Sequence, residues 1–184
     1  MNDFELKILL WIQEVLQCAF LDFLFPLLTR LGDGGVFWII VALVMICTPK
    51  YRKLGATIGL ALLLGFIIGN LTIKPMVARI RPYDLLFETY GITFDLLVER
   101  LSDFSFPSGH TLCCFEAATV IFIDKRKFRC AAVSVAVAVA LSRLYLFVHY
   151  PTDVLFGAVL GIVIAFMARF IVDKSIKIYK NRKS

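Results

Sequence analysis

The sequence predicts an all-α protein, a multi-pass transmembrane helical bundle. Three observations carry this prediction. Of the 184 residues, 60% are hydrophobic and only 18% charged, with a mean hydropathy of +0.83, against about 45–50% apolar and about 25% charged in a soluble domain. Residues 54–73 run for 20 positions without a charge, about the length that crosses roughly 30 Å of hydrocarbon. The basic residues gather in clusters that follow apolar runs, the pattern that positive loops of membrane proteins produce.

The elements follow in order. Residues 4–31 mix Leu6, Leu9, Leu10, Ile12 and Leu16 with Glu5, Lys7, Gln13, Glu14 and Gln17. That mixture reads as an amphipathic helix at the interface. Residues 18–31 are more apolar but are interrupted by Asp22 and Pro26, as in a short or broken span. Residues 34–48, 54–73, 109–123, 130–148 and 154–172 are the five remaining spans, and the N-terminal segment brings the count to six if it crosses. Residues 83–106 carry Asp84, Glu88, Asp95, Glu99 and Asp103 among leucines and phenylalanines, an acidic amphipathic cap. Residues 173–184 form a basic tail. No Gly/Ser/Pro-rich linker divides the chain, so residues 1–184 read as a single domain. No cleavable signal peptide is read at the N-terminus.

Net charge is +6. Lys50, Arg52 and Lys53, then Lys125, Arg126, Lys127 and Arg129, then Arg169, Lys174, Lys177, Lys180, Arg182 and Lys183 hold 13 of the 20 lysines and arginines. Their place between apolar runs argues against nucleic acid as a partner. Alternation of the spans puts all three clusters on one face, the cytoplasmic one, with the C-terminus. The extracytoplasmic face then receives Gly32–Gly35, residues 74–108 and the turn at 143–153. Cys18, Cys47, Cys113, Cys114 and Cys130 form no metal-binding pattern. They are expected to be small buried hydrophobes. The small residues spaced by four, Gly55/Gly59, Gly65/Gly69 and Gly157/Gly161, suit close helix approach.

Only two histidines occur, His110 and His149. His110 closes Pro107-Ser108-Gly109-His110. His149 stands six residues after Arg143 and four before Asp153. Upstream lie Lys74 and Arg81-Pro82. All of these fall on the extracytoplasmic face, so distant segments meet at one mouth of the bundle. Their types suit phosphoryl transfer, in which negative charge spreads over three equatorial oxygens. Lys74, Arg81 and Arg143 supply fixed cations, the arginines as bidentate forks. Ser108 and Gly109 precede an apolar helix, where free backbone N–H groups meet an anion. His149 can attack through one ring nitrogen while Asp153 holds the other N–H. His110 can protonate the departing oxygen and then accept a proton from water. Arg143 inside an apolar run is costly unless it faces a polar cavity. Glu116, also within a span, reads first as a helix–helix hydrogen bond and second as support for the site. Arg79 and Arg100 read as solvated interfacial cations without a role, and Tyr83, Tyr145 and Tyr150 as interfacial anchors.

The segments KPMVARIRP (74–82), PSGH (107–110) and SRLYLFVHYPTD (142–153) resemble the signature KxxxxxxRP, PSGH and SRxxxxxHxxxD of the type-2 phosphatidic acid phosphatase superfamily. All three are complete and in family order, and the resemblance covers roughly residues 34–172. It implies a helical membrane phosphatase that works through a phosphohistidine and needs no metal or other cofactor. By motif position, His149 becomes the nucleophile, Asp153 its partner and His110 the leaving-group acid. Lys74, Arg81, Ser108, Gly109 and Arg143 become the phosphate pocket. The implied substrate is a membrane lipid phosphate: undecaprenyl diphosphate, phosphatidylglycerophosphate or phosphatidate. A lipid-dependent phosphotransferase with a non-water acceptor would use the same pocket. A non-catalytic scaffold or transporter would not need the two histidines and Asp153.

Overall fold

The computed structural model describes residues 2–124 and 126–182, apart from the side chains of residues 2, 3 and 126. Lys125 and Lys183 of the basic clusters lie outside these. The described residues form helices α1 (Asn2–Leu16), α2 (Ala19–Thr29), α3 (Val36–Cys47), α4 (Arg52–Gly65), α5 (Lys74–Val77), α6 (Pro82–Tyr90), α7 (Gly109–Asp124), α8 (Arg129–Tyr145) and α9 (Pro151–Asn181), with no strand among them. Three helical stretches are long and apolar enough to cross a membrane: Ala19–Cys47, Pro49–Tyr90 and Pro151–Asn181.

Helices α3, α4 with its extension to α5, α7, α8 and α9 pack side by side as the bundle. The N-terminal pair stays at one end. Both ends of α2 touch the last turn of α8: the Cys18 N–H donates to the Tyr145 hydroxyl at 3.3 Å, and Arg143 donates to Thr29 Oγ1 at 2.5 Å. At about 1.5 Å per residue the 11 residues of α2 reach only about 16 Å, so it lies across α8. Helix α1 adds Leu6 and Leu9 to a second core with Tyr83 and Leu86 of α6 and the Leu146–Tyr150 link. The charges mixed into residues 4–16 account for this position, since an amphipathic face needs only one apolar partner surface.

The main core is built from small residues on α4, α7, α8 and α9, including Ala61, Ala117, Ala136 and Ala165. Helix α7 is central, packed on α9, α8 and α4. A Cβ at Gly157 would stand 2.8 Å from the Ser108 carbonyl, and one at Gly161 would stand 2.7 Å from that of Leu112. The glycine pair therefore lets α9 lie on the α7 backbone. Large apolar side chains such as Phe20, Phe23, Leu155, Phe166 and Phe170 face outward, as they do when the surrounding solvent is hydrocarbon. For the same reason the cysteines depart from expectation. Cys114 is buried, Cys113 is half-buried, and Cys18, Cys47 and Cys130 are exposed, because an apolar residue on a lipid-facing surface need not enter the core.

Two local features aim the chain at one end. Between α4 and α5 the helix widens into a π-helix over Phe66–Ile73. Pro75 follows at once and cannot donate to the preceding turn; π segments of this kind turn side chains to a new face. At the α8–α9 link, Phe147 adopts φ 58°, a costly left-handed conformation for a side chain of that size. It is held by the Leu144 carbonyl at 3.1 Å and by stacking on Phe94 at 4.2 Å.

Candidate active site

The site end of the bundle is where α5, the start of α7 and the α8–α9 link converge under the 91–108 segment. Lys74, Arg81, Gly109, His110 and His149 line one cavity of about 750 Å3. Arg143, Ser108 and Asp153 are buried beside them. The structure thus brings together all eight residues predicted from the sequence.

His149 is buried with its two ring nitrogens in different surroundings. Nε2 stands 3.4 Å from Arg81 Nη1, which also donates to the Val148 carbonyl at 2.8 Å. Nδ1 stands 3.5 Å from both Asp153 Oδ2 and Ser105 Oγ. Burial, followed by the charges of Arg81, Arg143 and Lys74, pushes the His149 imidazole well below its usual 6.5, so the neutral ring prevails at pH 7. Asp153 is saturated: Oδ2 accepts from Ser105 Oγ at 2.5 Å and from the Tyr150 N–H at 2.9 Å, and Oδ1 accepts from Arg79 Nη1 at 2.5 Å. The Tyr150 contact belongs to a capping box at the start of α9, with Pro151 at the first helical position, a local arrangement that sets Asp153 one turn below His149.

Arg81 and Lys74 meet at Asp103. Lys74 Nζ and Arg81 Nη2 each donate to its carboxylate at 2.5 Å, and Arg81 Nε donates to its carbonyl at 2.8 Å. Burial pushes the Asp103 carboxyl up, but the Lys74 bond and the Arg81 charge outweigh it and hold it at about 2. Arg143 keeps Nε and Nη2 buried without a hydrogen-bond partner, while Nη1 is held by Thr29. Such a group demands an anion or a polar ligand. His110 Nε2 pairs with Asp33 Oδ1 at 2.7 Å, and this bond lowers the Asp33 carboxyl from its ordinary range. Asp33 reaches the ring from a turn whose Gly34 and Gly35 have φ 55° and 68°.

Several expectations change. The Ser108 N–H is not free for an anion, because it donates to the Asp153 carbonyl at 3.2 Å. Instead Ser108 caps α7, its Oγ accepting from the Thr111 N–H at 3.4 Å and from the Thr111 hydroxyl at 3.0 Å. Tyr83, Tyr145 and Tyr150 are buried rather than interfacial, because the cap and α1 cover this end. Arg79 is no solvated cation: it pairs with Asp153 and Glu5 and lies 3.8 Å over the Tyr150 ring. Arg100 is exposed and paired with Asp84. Glu116 bonds no neighbouring helix. Asp33, Asp103, Ser105 and Glu5 escaped the sequence reading because no fixed spacing ties them to the histidines. The one available signal was that acids on the same face as three cations will pair with them.

Fold and site define a membrane-embedded helical protein with buried cations and two histidines gathered at one end of its bundle. A family model described as the PAP2 superfamily matches residues 50–177, and the chain belongs to that superfamily. It is similar to the undecaprenyl-diphosphatase of Sulfolobus acidocaldarius, with 31% identity over 83% of this chain and 71% of that protein. It is also similar to phosphatidylglycerophosphatase B of Bacillus subtilis, with 30% identity over 94% of this chain and 80% of that protein. The crystal structure of Aquifex aeolicus LpxE superposes with a TM-score of 0.73 at 26% identity, covering 89% of this chain and 93% of that one. The chain is accordingly a membrane phosphatase.

Proposed function

We propose that this protein removes phosphate from a membrane lipid phosphate or diphosphate, through a phosphohistidine and without a metal ion. The observation that carries the proposal is the juxtaposition of His149 Nε2 with Arg81 at 3.4 Å, beside Lys74 and an unpaired Arg143 fork. The Nε2 lone pair attacks phosphorus as the bond to the lipid oxygen breaks. His110 delivers a proton to that oxygen. Water then attacks the phosphohistidine, gives its proton to His110, and releases inorganic phosphate as the N–P bond breaks. Asp153 and Ser105 hold the Nδ1 side and so keep Nε2 unprotonated for attack. Three cations spread along the site stabilise the equatorial oxygens. Asp33 stabilises the His110 imidazolium. The lipid arrives from the bilayer, since the cavity is apolar below the charged residues.

The basic clusters support an orientation with the site extracytoplasmic and α9 ending in the cytoplasm. Phosphate release by the detergent-purified protein in EDTA tests the chemistry. Undecaprenyl diphosphate, phosphatidylglycerophosphate and phosphatidate are offered to wild type and His149→Ala. Release by wild type alone is expected; equal release by both proteins would remove His149 from the mechanism, and activity abolished by EDTA would remove the metal-free reading.

A further inference from the structure

We infer that Glu116 is a specificity residue that hydrogen-bonds the ester linkage of a glycerolipid phosphate; this rests on the reading that a lipid phosphate binds at His149. Glu116 is 1% exposed, lies midway along α7 and borders the same cavity as His110 and His149. Its Oε1 is buried without a hydrogen-bond partner. A carboxyl in such a place costs several kcal/mol in general, and the surroundings are shaped to keep it there. A Cβ at Gly65 would stand 1.8 Å from Oε1. Glycine at 65 therefore makes room for the carboxyl between α4 and α7.

The cavity changes character with depth. Lys74, Arg81 and the histidines stand at the mouth. Asn70, whose Oδ1 is also buried and unpartnered, comes next, 3.1 Å from where a Gly109 Cβ would be. Glu116 follows, and beyond it Leu43, Ile46, Leu62 and Leu63 form an apolar wall, with Gly59 leaving open space. Glu116 is seven residues below Gly109, about 10 Å along the helix axis. Side chains on a helix lean toward its N-terminus, so the carboxyl points back toward the mouth.

This sequence of charged, polar and apolar layers suits a glycerolipid phosphate. In a glycerolipid phosphate the ester carbonyls sit five or six bonds from phosphorus, a reach of roughly 6–8 Å at ordinary bond lengths, and hydrocarbon follows. A polyprenyl monophosphate is hydrocarbon from its first carbon and leaves Glu116 unpaired. A site built to hydrogen-bond a group rejects the analogue that lacks it, because its own buried polar atoms then stay unsatisfied. In its acid form Glu116 donates to an ester carbonyl, and Gln at this position has a donor of the same reach.

The test compares dioleoyl phosphatidate with its dialkyl ether analogue, which keeps the phosphate and both chains but lacks the carbonyls. Equilibrium binding is read on His149→Ala in detergent, where neither lipid is consumed, and kcat/KM on the active protein. The diacyl lipid should bind about tenfold tighter than the ether, the contribution of one hydrogen bond. Glu116→Gln should keep that preference and Glu116→Leu should bring the ratio to near one, with binding of inorganic phosphate unchanged. Equal affinity for both lipids with Glu116 in place, or a preference that survives Glu116→Leu, overturns the inference. A preference seen in binding while the active protein releases no phosphate would instead overturn the hydrolase reading and leave the role of Glu116 supported.

Discussion

The proposed role of His149 as nucleophile requires a neutral ring. Burial and the cations around it act in the same direction, both disfavouring the imidazolium and lowering the pKa. A lowered pKa means that the neutral form persists as pH falls below 6.5, the ordinary histidine value. The acid limb of kcat/KM, which reports the free enzyme, should therefore lie below pH 6.5. A limb at or above 6.5 would show that the cations do not act on His149 as the geometry requires. The same cations explain Asp103. With its side chain half exposed, it sits between Lys74 and Arg81 and holds both in place. Arg143 keeps two buried nitrogens unpaired, and in the proposed function a phosphate oxygen completes it.

Among the elements, α1 has the least evident purpose and a specific set of bonds. Glu5 Oε1 accepts from the Thr152 N–H at 2.9 Å and from its hydroxyl at 2.7 Å, and Oε2 pairs with Arg79. Arg79 in turn holds Asp153. Helix α1 thus fastens the first turn of α9, from which Asp153 projects. Glu5→Ala leaves the Thr152 amide and one side of Arg79 without a partner, and the expected cost is about 2 kcal/mol of stability. Glu5→Gln keeps an acceptor for Thr152 and should lose less. Denaturant unfolding in detergent measures both variants; an Ala variant as stable as wild type would make α1 a passive flank. The π-helix before Lys74 and the strained Phe147 before His149 also belong to this scale, since each turns one functional side chain into the cavity.

For the whole molecule, the charge pattern and the position of the site make one prediction about sidedness. At the end opposite the site, Lys53 pairs with Asp173, and Arg169 with Asp124 and Asp173. Helix α9 runs for 31 residues, about 46 Å at 1.5 Å per residue. It is longer than the hydrocarbon core needs, so its basic last turns stand beyond the bundle. A reporter joined at the end of α9 should be active only as a cytoplasmic fusion. Activity outside the cell would invert the topology and put the site on the cytoplasmic side.

The class of fold and the eight residues of the motifs were legible in the order of amino acids alone. Hydropathy over a whole span is a sum of many small terms, and a motif is a fixed spacing between residue types; both survive without knowledge of packing. The apolar helices and the shared end of Lys74, Arg81, His110, His149 and Asp153 follow from such sums. The partners of these residues came from packing. That Asp33 meets His110, that Asp103 bridges Lys74 and Arg81, and that Glu5 reaches Arg79 and Thr152 depends on contacts across 22 to 147 positions of chain. Tyrosines placed at an interface by type turned out to be buried, because α1 and the cap cover that end. Glu116 lost its expected helix partner because Gly65 left a space beside it. Each of these was settled by how helices lie on one another, and no spacing along one helix carries that information.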